Sequence, residues 1–166
     1  MSTREQVELP WRWAHYKLYG PVVVASVLGE PVPQGSIRSL GKGRPSIHSN
    51  GARLLPWRES VQHAFEDTGN HHLAGETLPI EGPVAIDVTF TVRKPASAPK
   101  RRRTWPIRRP DGDKLLRTIF DAAQAAGIVR DDSQFIDWHG RKVFPLEAPQ
   151  SLPTPGVHIF IYTVGE

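Results

Sequence analysis

Pro83 to Lys94 reads PVAIDVTFTVRK. Val84, Ile86, Val88, Phe90 and Val92 alternate with Asp87, Thr89 and Thr91. That period of two is the mark of a strand with one apolar face, and it predicts a half-buried strand. A Pro- and Arg-rich loop follows, Pro95 to Pro110. From Asp111 the spacing becomes helical, with Leu115, Leu116, Ile119, Phe120, Ala122, Ala123 and Ala126 as the apolar set, and Gly127 supplies the stop.

Working outward, Trp57, Val61, Ala64 and Phe65 predict an earlier helix, from Leu55 or Trp57 to about Thr68, ended by Gly69 and Asn70. Val22, Val23, Val24 and Val27 predict a strand over Pro21 to Glu30. The Gly-, Pro- and Ser-rich stretch from Gly29 to Gly51 predicts a long loop. Phe135 to Phe144 and Gly156 to Val164 read as two more strands, joined by a Pro-rich segment, 145–155. The order is β-α-β-α-β-β. We therefore expect an α+β fold with a four-stranded mixed sheet and two main helices. Residues 1–20, with Trp11, Trp13, Tyr16 and Tyr19, form an N-terminal arm or irregular lead-in on this reading, and 21–166 form one domain.

The chain has 166 residues, enough for one domain with a real core. It has no cysteine, which excludes disulfides, cysteine-ligated zinc, iron–sulfur clusters and thiol nucleophiles. A reducing, cytoplasmic location is expected, with no secretory signal and no membrane partner, because the longest apolar stretch, Val22 to Leu28, is far too short to span a bilayer. Net charge is +4, but the excess is concentrated. Ten of the 21 Lys and Arg fall between Arg93 and Arg117. A run that includes Lys100, Arg101, Arg102, Arg103, Arg108, Arg109 and Lys114 fits a polyanionic partner, nucleic acid before membrane; a solvated loop is the plainer alternative.

Six of the 17 acidic residues lie between Asp111 and Asp137, against this basic stretch. Hard divalent cations take carboxylate oxygens, and a metal beside cationic side chains suits phosphodiester hydrolysis. Each motif alone reads more simply: D-x-D at a helix start as a cap, Asp-Asp before Ser as a turn. In combination, the metal reading is the stronger one. Lys142, on a predicted strand, is a candidate phosphate contact or an exposed strand lysine. Trp105 is placed to stack on an exposed base or to pack on its own domain. Asp121 reads as a packing or helix-start residue before a metal ligand, His71 and His72 as a solvated helix end, His139 and His158 as structural.

Pro110–Asp111–Gly112–Asp113–Lys114–Leu115–Leu116–Arg117, then Phe120–Asp121–Ala122, Gly127–Ile128 and Asp131–Asp132–Ser133–Gln134, resembles the signature of RusA-type Holliday-junction resolvases. Gly29 to Gly35, GEPVPQG, is similar to a segment near the start of family members. The resemblance implies a small, dimeric, Mg²⁺-dependent endodeoxyribonuclease, with Mn²⁺ as a substitute, of the kind common in phages and prophages. Such an enzyme acts in DNA recombination and repair inside a bacterial or phage-infected cell. It implies Asp111, Asp113 and Asp132 as catalytic, metal-holding carboxylates and Asp131 as their acidic neighbour. Arg117 stands where the family often has Lys, which keeps the charge and removes a proton-transfer role. Lys114 stands where many members have Asn. A non-catalytic branched-DNA-binding module of the same fold is the alternative.

A helix of roughly 15 residues places its ends about 22 Å apart. Gly127 to Asp132 fully extended covers only roughly 17 Å. Asp113 and Asp132 are therefore hard to join within one subunit. The expectation is an intertwined homodimer, with a two-fold-related subunit contributing to each site.

Overall fold

A computed structural model describes residues 6–7, 16–35, 37–38, 42, 47–48, 50–69 and 77–165. Seven strands and two α-helices occur among them: β1 (Gln6–Val7), β2 (Lys17–Leu28), β3 (Ile37–Arg38), β4 (Ile47–His48), α1 (Gly51–Gly69), β5 (Val84–Thr91), α2 (Gly112–Ala125), β6 (Phe135–Val143) and β7 (Gly156–Gly165). The four long strands and two helices follow the order β-α-β-α-β-β. The main sheet runs β1-β2-β7-β5-β6. It is mixed: β5 and β6 are parallel, joined through α2, while β2–β7 and β5–β7 are antiparallel. The fold class is the expected α+β.

Some boundaries differ from the sequence reading. β2 starts at Lys17 rather than Pro21, because Lys17 to Tyr19 pair with Gly165 to Thr163 before an irregularity between Tyr19 and Val23. Gly20 lies at that break with φ +118, where a Cβ would meet the Val22 nitrogen at 2.5 Å. α1 starts at Gly51, where the Asn50 carbonyl accepts from the Arg53 and Leu54 N–H groups, and it runs through Pro56. Within the expected loop from Gly29 to Gly51, β3 and β4 form a two-residue ladder. His71, His72, Asn70, Trp11 and Trp13 lie outside the described residues.

The core lies between the helices and one sheet face. Trp57, Val61 and Phe65 from α1 and Leu115, Ile119, Ala122 and Ala123 from α2 pack with Val84, Ile86, Val88 and Phe90 of β5. Each large side chain so buried contributes about 1.5–3 kcal/mol of transfer free energy. α2 ends in a Schellman motif: Gly127 has φ +70, its N–H donates to the Gln124 carbonyl, and the Ile128 N–H donates to that of Ala123.

The half-buried reading of β5 is overturned, since every residue from Val84 to Thr91 is buried. Its polar face is covered, and most of its hydrogen-bonding groups find partners there, the buried Asp87 Oδ2 being the exception. Asp87, only 1% exposed, accepts from the Arg141 guanidinium at 2.7 Å, and His139 lies at 3.2 Å. Thr89 reaches Gln150 at 3.4 Å, and Thr91 accepts from the Leu152 N–H at 2.9 Å. The segment between β6 and β7 thus closes over the second face, where alternation alone pointed to solvent.

Candidate functional site

Helix α2 carries most of the candidates. Leu115, Leu116, Thr118, Ile119, Ala122 and Ala123 face the core. Asp113, Arg117 and Asp121, spaced four apart, form a stripe on the other side. Asp111 occupies the N-cap position in extended conformation, yet its side chain makes no capping hydrogen bond. Its carboxylate instead lies 3.4 Å from the Lys114 ammonium. The cap explanation of this D-x-D therefore fails for Asp111.

The two residues line neighbouring cavities on either side of the start of α2. Asp111 lines a cavity of about 460 Å³ with Arg53, Arg109, Lys114 and Gln34. Asp113 lines another, of about 320 Å³, with Trp138, Gly140 and Lys142. Residues Val32 to Gln34 run along the first two turns of α2: the Gln34 N–H donates to the Lys114 carbonyl, and the Thr118 hydroxyl donates to that of Val32. The GEPVPQG segment so lies against the D-x-D, which its distance in sequence does not show.

Asp132 lies beyond the other end of α2, in a 3-10 turn, Asp132–Gln134. Asp131 caps that turn, accepting from the Ser133 N–H at 2.9 Å. The Ser133 side chain and N–H hold its carboxyl below the usual carboxylate value. Gln134 ties the turn to the fold: its Oε1 accepts from the Arg130 and Asp131 N–H groups, and its Nε2 donates to the Ile80 and Gly82 carbonyls. Asp132 remains exposed on this turn.

The carboxylate that shares electrostatics with Asp132 is Asp121, which the sequence reading passed over as a packing residue. Burial pushes the Asp121 carboxyl up; the Arg117 and Arg58 guanidinium groups pull it down, the Asp132 charge raises it, and a Gln34 hydrogen bond lowers it. Asp113 and Asp121 are eight residues apart, about 12 Å along the helix axis. No group of three His, Asp or Glu side chains suited to a metal occurs among the described residues. Within one chain, Asp111, Asp113 and Asp132 thus do not fit a three-carboxylate metal centre.

The basic loop is pinned at both ends. The Lys142 ammonium donates to the Arg108 carbonyl at 2.9 Å and to that of Pro110 at 2.7 Å, bracing the turn that delivers Asp111. Glu147 pairs with Lys94 and accepts from the Thr104 N–H; the Lys94 hydrogen bond is the main cause of its lowered pKa. Between the pins, Lys100, Arg101, Arg102, Arg103, Arg108 and Arg109 are exposed. Arg103 lies 4.2 Å from the Trp105 ring centroid, and Trp105 stays 61% exposed. Trp138, beside Asp113 and 56% exposed, was missed by the sequence reading. A lone aromatic within the otherwise polar run from Asp137 to Lys142 was the available signal.

The comparison with curated proteins returned no match. A family model described as Endodeoxyribonuclease RusA matches residues 36–160. The span leaves out the GEPVPQG segment but takes in both helices, the basic loop, the D-x-D and the Asp131–Asp132 turn, and the chain therefore belongs to the RusA family of endodeoxyribonucleases.

Proposed function

We propose that this endonuclease resolves four-way DNA junctions by paired, symmetric phosphodiester hydrolysis. It acts as a homodimer with Mg²⁺, or Mn²⁺ in its place. The observation that carries the reading is the placement of Asp111 and Asp113 between cationic groups: Arg53, Arg109 and Lys114 on one side, Lys142 on the other. Carboxylates set in a cationic surface suit a metal and a phosphate backbone together.

The separation of Asp132 from Asp113 gives the dimer its reason. With α2 spanning 14 residues, about 21 Å, a two-fold-related copy that lays its Asp132 turn beside the D-x-D completes a set of three carboxylates. Asp111 and Asp113 of one subunit with Asp132 of the partner subunit would then hold the cation. Such a cation supplies charge neutralisation and a water of lowered pKa. Asp131 is engaged as a cap, so its part is to set the Asp132 turn. Arg117, next on the exposed stripe from Asp113, stabilises charge that develops on the phosphoryl group. Lys100 to Arg103, Arg108 and Arg109 hold the DNA backbone. Recombination and repair in a phage or prophage setting is the process the resemblance implies.

The test is a labelled synthetic four-way junction incubated with and without Mg²⁺, beside Asp113→Asn. Paired nicks that need both Mg²⁺ and Asp113 are expected. Tight binding without cutting would instead favour a non-catalytic branched-DNA-binding module. Mixing Asp113→Asn with Asp132→Asn subunits tests the shared site: heterodimers should regain activity, and mixtures no better than either parent would sink it.

A further inference from the structure

The cavity beside Asp113 has a shape that cutting a phosphodiester does not itself require. Trp138 stands on edge strand β6, on the face that meets α2. Its ring meets Phe120 edge-on, with centroids 6.4 Å apart and planes at 76°. Phe120 in turn stacks on Phe135 at 4.5 Å and 9°. This seat fixes the indole along one edge and leaves more than half of it open.

Two residues further along the same face stands Gly140. A Cβ there would meet only the Leu116 methyl groups, at 3.9 Å, which is ordinary contact. The backbone does not require glycine for close packing at this point, but any larger side chain would occupy the space beside the indole. Lys142 follows, its ammonium held by the Arg108 and Pro110 carbonyls. Phe90 and Leu116 complete a largely apolar floor, and Asp113 stands in the wall.

We propose that this slot receives one unpaired nucleobase adjacent to the scissile phosphate, stacked on Trp138, and so selects which nucleotide is cut. The inference rests on the junction-nuclease reading and adds the ligand of its specificity pocket. An aromatic wall and apolar floor suit the face of a base, and the cationic basic loop braced by Lys142 suits the strand that carries it. Continuous stacking is interrupted at the crossover of a branched junction, so a base pair there is opened and its base extruded at lower cost than within a continuous duplex.

The test uses four-way junctions with permuted crossover sequences, cut by the wild type, Trp138→Ala, Trp138→Phe and Gly140→Leu under single-turnover conditions. Trp138→Ala should lose about ten-fold or more in rate at preferred sites, the scale of base–aromatic stacking, and should level the preference between sites. Gly140→Leu should do the same by filling the slot with the indole in place. Trp138→Phe should keep the preference, and junction affinity should stay within about three-fold throughout, since the phosphate contacts lie elsewhere. A second readout places 2-aminopurine at each crossover position of a junction bound by Asp113→Asn. One position should change fluorescence on binding, and that change should vanish when Trp138→Ala is added. Wild-type rate and preference in Trp138→Ala, or 2-aminopurine signals independent of Trp138, would overturn the slot. A wild type that binds junctions without cutting them would sink the nuclease reading instead and leave the 2-aminopurine arm to decide the slot.

Discussion

Gln134→Ala removes four hydrogen bonds from the turn that carries Asp132. Oε1 accepts from Arg130 N–H at 2.8 Å and Asp131 N–H at 3.0 Å; Nε2 donates to the Ile80 carbonyl at 2.8 Å and the Gly82 carbonyl at 2.9 Å. At about 1 kcal/mol net for each, the sum is about 4 kcal/mol. Arg130 and Asp131 are exposed, so water replaces the glutamine there at little cost, whereas Ile80 is 3% exposed and its carbonyl is left poorly served. The expected loss is therefore about 2–3 kcal/mol, or roughly 5–10 °C in Tm for a chain of this length. Gln134→Glu keeps the two accepted bonds but turns an anion toward two carbonyls, and it should destabilise at least as much at neutral pH. Urea unfolding, followed by tryptophan fluorescence and far-UV circular dichroism, measures both variants. Junction cleavage well below the melting range should fall more than junction binding, because the turn sets Asp132. A Gln134→Ala protein within 0.5 kcal/mol of wild type would refute the hydrogen-bond reasoning. A destabilised variant that still cuts at the wild-type rate would refute the positioning of Asp132 by this turn.

Lys142→Met should destabilise by about 2 kcal/mol, since a charged donor leaves two carbonyls, and should lower the cleavage rate more than the salt dependence of DNA binding. Urea unfolding and filter binding across a salt series measure the two effects; a large change in salt slope alone would restore Lys142 as a phosphate contact. For Asp121, the raised folded pKa means its stability contribution is fully present below the ordinary carboxylate value of 3.8 and is lost as pH rises through the folded value. Asp121→Asn should therefore be more stable than wild type at neutral pH, and the gap should close as pH falls toward 3; a gap constant with pH would contradict the assignment. Gly156→Ala places a Cβ 2.4 Å from the Val27 carbonyl oxygen and 2.7 Å from Leu152 Cδ1, inside a three-strand ladder. It should cost about 1–3 kcal/mol in thermal or urea unfolding, and a neutral result would show that β2 and β7 can part locally.

Helix α2 was legible because its signals are local. Its apolar spacing and the Gly127 stop depend on residues a few positions apart, and the helix observed differs from the expected one by a residue at each end. The four long strands were legible for the same reason. The short pairings of β1, β3 and β4 were not, since two residues carry no period. The candidate site was legible as a list of residues, and the basic run and the two acidic motifs stand out in the sequence alone. Their roles were less so. Asp131 next to Asp132 reads as a pair of equals, and only the hydrogen bond to Ser133 separates a cap from a free carboxylate.

The sequence by itself determined the element order, the α+β class, the family signature and the identity of the carboxylates and cations. These follow from spacing and residue type, which operate over one or two turns of chain. Tertiary structure decided what lies across larger distances. Asp87, Thr89 and Thr91 are buried because Arg141, Gln150 and Leu152, more than 50 positions away, meet them. Lys142 is a brace rather than a free cation because strand β6 brings it to the Arg108 and Pro110 carbonyls. Trp138 stands open beside Asp113 because Phe120 and Phe135 support it and Gly140 leaves the space empty. A hydrogen bond or a stacking contact has a range of a few ångströms, so which distant residues share one is fixed only when the sheet and helices pack.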